Sequence, residues 1–102
     1  MTQSRRVVFH VVFRGRVQGV GFRAFVKDAA GLHRIEGWVR NRRVGTVEAV
    51  LAGPPAAVEA VLAACRAGPA LARVETIDQR EATADELALR GDREVFVVLP
   101  TL

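Results

Sequence analysis

The chain has 102 residues, of which half are apolar, a quarter are charged and one, Cys65, is a cysteine. This length fits a single domain with its own core, and this apolar content excludes an unstructured chain. One cysteine excludes an internal disulfide and a cysteine metal cluster, and it favours a reducing, cytoplasmic setting. No segment reaches the ~18 consecutive apolar residues of a membrane span, and the short run Val7–Phe13 lacks the cleavage site of an export signal.

Charge is unevenly distributed along the chain. Ten of the fifteen Lys and Arg residues, but only two of the eleven Asp and Glu residues, lie in residues 1–43. The asymmetry has two interpretations: an anionic partner of the N-terminal half, or a basic face that water covers.

The first predicted elements are a strand, a glycine-rich loop and a helix. Apolar residues occupy every second position of Arg6–Arg14, which predicts a strand. The loop Gly15–Gly21 follows it. From Phe22 to Ala29 the apolar residues recur with the spacing of one helix face, and Gly31 helps to end that helix.

The rest of the chain predicts two strands joined by a turn, a second helix and two further strands. In order these are the strands Ile35–Asn41 and Thr46–Ala52 around a turn at Arg42–Gly45, a helix opened by Gly53-Pro54-Pro55 with the buried stripe Val58, Val61, Leu62 and Cys65 and stopped by Gly68-Pro69, a strand Arg73–Arg80, a polar acidic loop Thr83–Asp92, and a closing strand Glu94–Leu99 whose inner side stays unassigned.

This order predicts a ferredoxin-like βαββαβ sandwich of the α+β class. Its antiparallel sheet carries two helices on one face and an extra C-terminal strand, and residues 1–102 form one domain. The same plan serves many functions, so the fold alone does not identify one.

The segment Gly15–Arg23 carries the strongest functional signal. Its three glycines allow a curled backbone whose N–H groups converge on an anion, and the helix start adds unsatisfied N–H groups. Arg23 lies in the first helical turn, where a cation is disfavoured by roughly 0.3–1 kcal/mol unless an anion sits beside it. Its planar fork matches two phosphate oxygens. An ordinary tight turn followed by a solvated arginine explains the same residues.

Other polar residues offer weaker signals. Asn41 ends a strand, where it serves either the turn that follows or the positioning of a water molecule. His10, on a strand face, and His33, near a helix end, are expected to be packed or solvated. Cys65 is expected in the core, Trp38 against a neighbouring strand, and the carboxylates Asp85, Glu86 and Asp92 in solvent rather than around a metal.

Two motifs, GRVQGVGFR at Gly15–Arg23 and GWVRN at Gly37–Asn41, resemble those of the acylphosphatases, and the similarity extends over nearly the whole chain. The chain departs from many members of that family at Val44, before the glycine of the hairpin, and at Arg34, where a glycine often ends the first helix. The departures concern loop geometry and stability rather than the two motifs.

The resemblance implies hydrolysis of the carboxyl-phosphate bond of acyl phosphates, with catalytic roles for Arg23 and Asn41 and no metal or organic cofactor. Asn41 would orient the attacking water, and Arg23 would neutralise phosphate oxygens. The implied partners are a small acyl phosphate and, as site ligands, inorganic phosphate or sulfate, with no nucleic acid, no membrane and a monomeric chain. The implied substrate-binding residues are Gly15, Arg16, Val17, Gln18, Gly19, Val20, Gly21, Phe22 and Arg23.

Two alternatives remain at the level of sequence. A ferredoxin-like domain with a basic N-terminal half can bind nucleic acid on its open sheet face, although this chain has no tyrosine and lacks the aromatic RNP motif. A catalytically idle structural homologue is the other. Similar domains also occur at the start of larger carbamoyl-transfer proteins. The end of the chain at Leu102 favours a free-standing enzyme.

Overall fold

The structure is a computed structural model that describes residues 5–91 and 95–102. The start of the predicted closing strand, at Glu94, and the end of the predicted acidic loop, at Asp92, lie outside the described residues. The elements are β1 (Val7–Arg16), α1 (Phe22–Leu32), β2 (Glu36–Asn41), β3 (Val47–Gly53), α2 (Pro55–Ala67), β4 (Arg73–Glu81), α3 (Ala84–Ala88) and β5 (Phe96–Val98).

One five-stranded sheet runs through the molecule in the order β4-β1-β3-β2-β5. The first four strands pair antiparallel, as the βαββαβ order predicts, and β5 joins the edge of β2 in parallel. The ferredoxin-like prediction is confirmed. The order places the end of β1 beside the start of β3 and near the end of β2, so the two motifs of the sequence meet at one end of the sheet.

The helices α1 and α2 pack on one face of this sheet around an apolar core. The predicted stripe of α2, from Val58 to Cys65, is buried in full. At the start of α1 the ring of Phe22 meets that of Phe13 on β1 edge-on, with centroids 5.0 Å apart. Because aromatic pairs prefer such geometry, this contact fixes where α1 begins relative to the sheet.

The opposite face of the sheet is covered in part by α3, and here the sequence prediction of a polar loop was wrong. Thr83 and Glu86 form a capping box: the Thr83 hydroxyl accepts from the Glu86 N–H, and the Glu86 carboxylate accepts from the Thr83 N–H. A threonine followed three residues later by glutamate is the pattern that nucleates a helix start. The indole N–H of the buried Trp38 donates to the Glu86 carbonyl at 2.7 Å, so Trp38 packs beneath α3.

The helix α1 ends shortly after Gly31, as the sequence predicts, and the chain then reverses at Arg34. Gly31 lies within the helix, which continues to Leu32. The left-handed conformation that follows is adopted by Arg34, at φ 58°, and among the described residues Arg34 is alone in having a positive φ without being glycine. A side chain there costs about 1–2 kcal/mol relative to glycine, so the departure noted in the sequence carries local strain.

Candidate active site

The strand β1 extends two residues further than predicted, which shortens the loop. Gly15 pairs with Val74 of β4 and Arg16 with Arg73, across an irregularity in the register. A β-carbon on Gly15, whose φ is 125°, would overlap the main-chain oxygen of Arg73. Glycine is therefore required at this position by the close approach of β4, and the curled segment is Val17–Gly21.

This curled segment delivers the chain to an uncapped helix start. Gly19 and Gly21 have φ values of 75° and 80°, in the left-handed region that glycine adopts without strain. Gly21 is the N-cap of α1, which has no side-chain cap and no acidic residue in its first turn. Since the first N–H groups of a helix have no partner within it, those of α1 are available to an external acceptor.

Arg23 is the second residue of α1 and lies against this helix start. Its side chain is half-buried and forms no hydrogen bond or ion pair with any described residue. The helix dipole opposes a cation at this position, and no described side chain forms an ion pair with the guanidinium that would compensate its charge. A bound anion between the guanidinium and the N–H groups would provide that compensation.

Asn41 enters the same region from the sheet, as the last residue of β2. Within residues 5–91 and 95–102, its Oδ1 is the single buried side-chain polar atom that lacks a hydrogen-bond partner. A buried acceptor left unpaired costs about 1–3 kcal/mol, which favours a functional role for this amide over a purely structural one.

A cavity of about 400 Å³ brings these groups together. Gly19, Gly21, Arg23 and Asn41 all form part of its wall, with Val17 and Phe22. Ligand pockets span roughly 300–1,000 Å³, so this one suits a small ligand. The structure thus places both predicted catalytic residues, and two of the three glycines of the predicted cradle, Gly19 and Gly21, around one space.

Not every predicted binding residue lies in that wall. Of the nine residues Gly15–Arg23, the wall contains five, and the other four are Gly15, Arg16, Gln18 and Val20. Gly15 and Arg16 belong to the strand, and the Arg16 side chain is exposed. The pattern of the motif alone does not separate residues that face a ligand from residues that shape the backbone.

Gln18 shows such a shaping role. Its side-chain amide donates to the main-chain oxygens of Arg42, at 2.7 Å, and of Thr46, at 2.8 Å. These two residues flank the β2–β3 turn directly after Asn41. Gln18 therefore ties the curled segment to the hairpin that carries Asn41.

Some wall residues were missed by the sequence analysis. Ala24, Lys27 and Asp28 of α1 and Val98 of β5 line the cavity. Lys27 follows Arg23 by four residues, a spacing that places both on one side of a helix, so a signal for it existed. Val98 gave no such signal, because its position depends on the parallel pairing of β5 with β2.

A network of charged groups lies on the opposite face of the sheet, centred on the buried carboxylate of Glu48. His10 Nε2 donates to it at 2.6 Å, Arg40 Nε at 2.7 Å and Arg42 Nη1 at 2.9 Å. Burial by itself raises the pKa of Glu48, but these three donors outweigh burial and lower the pKa from 4.5 to about 2. His10 is therefore packed rather than solvated, which is one of the two outcomes that the sequence predicts for it.

The other candidate nucleophiles and ligands lie away from the cavity. Cys65 is buried in the α2 stripe, and burial raises the pKa of its thiol to about 12, so it is a core residue as predicted. The described part of the chain contains no cluster of three or more His, Cys, Asp or Glu side chains arranged to hold a metal ion. None of the described helices is both long and apolar enough to cross a membrane.

The fold and the cavity define a class: a ferredoxin-like α+β domain with a candidate anion site between its first helix and the β2–β3 hairpin. The sequence model of the acylphosphatase family matches residues 9–91. An acylphosphatase from Rhodopseudomonas palustris (strain BisB18) is 52% identical over 96 residues, covering 94% of this chain and 97% of the relative.

Solved structures agree with the sequence comparison. An acylphosphatase from Coxiella burnetii superposes with a TM-score of 0.80 at 31% identity, over 97% of this chain and 100% of the other. The acylphosphatase from Bacillus subtilis gives a TM-score of 0.79 at 31% identity, over 91% and 98%. The chain belongs to the acylphosphatase family and is an enzyme of that family.

Proposed function

We propose that this protein hydrolyses the carboxyl-phosphate bond of small acyl phosphates, with Arg23 and Asn41 as its catalytic residues. The observation that carries the proposal is the shared cavity, where an uncapped helix start meets a guanidinium and a buried amide oxygen that have no hydrogen-bond partner among the described residues. Family membership supports the reaction, and the geometry supports the roles of the two residues.

The substrate is held through its phosphoryl group. The N–H groups at the start of α1 and of the Gly19–Gly21 backbone bind phosphate oxygens, and Arg23 pairs with two of them through its fork. Both contributions are strongest when negative charge is spread over the three equatorial oxygens in the transition state. The part of the cavity wall that Val98 and Lys27 form is left for the acyl group.

The water that attacks phosphorus is held by Asn41. Its Oδ1 accepts one O–H of the water, which turns an oxygen lone pair toward phosphorus, opposite the leaving carboxylate. A bond forms between the water oxygen and phosphorus as the bond from phosphorus to the carboxyl oxygen breaks. The water proton passes to a phosphate oxygen, and the products are a carboxylate and inorganic phosphate.

The chemistry of the leaving group explains why such a site suffices. A carboxylic acid has a pKa of about 4, so the carboxylate departs without being protonated and no general acid is required. Positioning and charge stabilisation are then the main tasks of the enzyme. We further infer that the protein is a monomer and works without a metal ion or organic cofactor. Its substrates are small molecules rather than nucleic acid or membranes. We infer that it acts in the cytoplasm, because its single buried cysteine favours a reducing compartment.

The test is hydrolysis of benzoyl phosphate, followed spectrophotometrically in the presence of EDTA. The native protein is expected to turn over, Arg23→Ala to lose turnover and phosphate binding, and Arg23→Lys to fail as well, because a point charge does not fork. Asn41→Ala is expected to retain phosphate binding and lose at least about a hundredfold in kcat. Normal hydrolysis by Arg23→Ala, with its fold intact by circular dichroism, would refute the assignment.

A further inference from the structure

No described residue forms a hydrogen bond with the side chain of Asn41, so the main chain of Asn41 decides where the amide points. That main chain pairs with Val47 of β3 on one side. On the other side the Asn41 carbonyl accepts from the N–H of Leu102, at 3.1 Å. The position of the amide oxygen therefore depends on how firmly this short stretch of backbone is held.

Arg42, the next residue, is held from three directions. Its carbonyl accepts from Gln18 of the curled segment at 2.7 Å. Its guanidinium spans two anchors: Nη1 donates to Glu48 Oε1 at 2.9 Å, and Nε donates to the main-chain oxygen of Leu102 at 3.1 Å. Leu102 in turn holds the Asn41 carbonyl, so the guanidinium closes a loop of contacts around Asn41.

Glu48 is a rigid anchor for this loop of contacts. Its residue surface is 7% exposed, and its carboxylate also accepts from His10 and Arg40. A carboxylate with three donors, two of them from neighbouring strands, has little freedom to follow a moving partner. The fixed point for the hairpin thus lies on the face of the sheet opposite the cavity.

We propose that Arg42 is a positioning residue for the hydrolysis, which holds the main chain of Asn41 in place by linking it to the buried Glu48 and to Leu102. This inference rests on the role of Asn41 in the proposed function. Arg42 does not line the cavity, so it acts on the water through Asn41 and not on the phosphate.

Arg40 provides a matched control within the same network. It also donates to Glu48 Oε1, at 2.7 Å, but its guanidinium stacks over the ring of Trp38, 4.7 Å from the centroid. Its side chain is 14% exposed, against 37% for Arg42, so its removal should cost more stability. A purely structural network predicts that the two arginines affect activity in proportion to stability, whereas a positioning role for Arg42 predicts the opposite order.

The experiment compares Arg42→Met with Arg40→Met, since methionine keeps an unbranched side chain and removes every donor. Arg42→Met is expected to lower kcat for benzoyl phosphate about tenfold, while KM and the inhibition constant of inorganic phosphate stay within about twofold. Arg40→Met is expected to lower Tm more than Arg42→Met does and to leave kcat within about twofold. Arg42→Lys, which retains a donor for Glu48, is expected to recover part of kcat.

The outcomes separate this inference from the proposed function. Unchanged kcat in Arg42→Met, or an equal fall of kcat in Arg40→Met, overturns the positioning role. If instead Asn41→Ala keeps full kcat, the proposed role of Asn41 is what fails. A double variant of Asn41→Ala with Arg42→Met should lose no more than Asn41→Ala alone, because Arg42 acts through that amide; fully additive losses also overturn the inference.

Discussion

The two faces of the sheet treat their polar groups in opposite ways. On the face beneath α3, the carboxylate of Glu48 has three donors, and Glu86 is bound by Arg80 and by its own helix start. On the face beneath α1 and α2, Arg23 and the Asn41 amide oxygen have no partner among the described residues.

The contrast is clearest at the helix starts. The start of α3 holds two acidic residues in its first turn and a complete capping box, so its N–H groups are satisfied from within. The start of α1 holds an arginine, no acid and no cap. A helix start that the protein leaves uncompensated, beside an unpaired acceptor in a cavity, marks where a ligand is expected to complete the interactions.

Lowering the pH should first reduce the stability contributed by the Glu48 network, on the face of the sheet beneath α3. Because the pKa of Glu48 falls from 4.5 to about 2 on folding, the stabilisation that Glu48 contributes is complete above pH 4.5 and is lost as the pH falls toward 2. The shift corresponds to about 3 kcal/mol in the free energy of unfolding. Urea unfolding at a series of pH values measures this loss, and in Glu48→Gln the acid-dependent loss should be smaller by about that amount. An identical pH dependence in both proteins would contradict the account of the network.

Giving α1 the acidic start of α3 should make the two faces alike. Ala24 occupies the position in α1 that Glu86 occupies in α3, and it lines the cavity. Ala24→Glu places a carboxylate among the N–H groups, where it stabilises the helix by about 0.5 kcal/mol and competes with phosphate. The inhibition constant of inorganic phosphate should rise at least about tenfold, or 1.4 kcal/mol. Ala24→Gln, of the same shape without the charge, should change it far less.

Removing the cap of α3 should lower stability without touching the reaction. Thr83→Ala deletes the hydroxyl that accepts from the Glu86 N–H, at a cost of about 1 kcal/mol in the free energy of unfolding. Kinetic constants for benzoyl phosphate should stay at their native values, and Thr83→Ser should restore the stability. A fall in kcat with Thr83→Ala would show that the two faces are coupled more broadly than through Arg42.

The smallest effect is expected at the end of α1, where the strain at Arg34 is unrelated to the ligand. Arg34→Gly should raise the free energy of unfolding by about 0.5–1 kcal/mol, since relief of the left-handed strain exceeds the added chain entropy of glycine. Asparagine tolerates this conformation better than arginine, so Arg34→Asn should fall between the two. Turnover should be unchanged in both variants. Thermal unfolding measures the change in stability of each variant, and the benzoyl phosphate assay measures its turnover.

Local patterns sufficed for most of the architecture. Period-two alternation located β1, helical spacing located the α2 stripe to the residue, and glycine and proline positions marked the turns, because each of these features depends on neighbours close in the chain. The loop predicted after Thr83, which was wrong, also had a local signal in its capping box. The motif Gly15–Arg23 located the candidate site, with its helix start and Arg23, for the same reason.

Long-range pairing decided what no local pattern contains. Only the sheet order brings Asn41 to Arg23 and places Val98 in the wall of the cavity. It also explains Gly15, where the close approach of β4, rather than a ligand, requires glycine. The enclosure of Glu48 by donors from β1, β2 and the hairpin is of the same kind, since its members lie up to 38 residues apart in the chain. Such contacts arise when strands distant in sequence pair in register, and so they follow from the assembled sheet and not from the composition of any one segment.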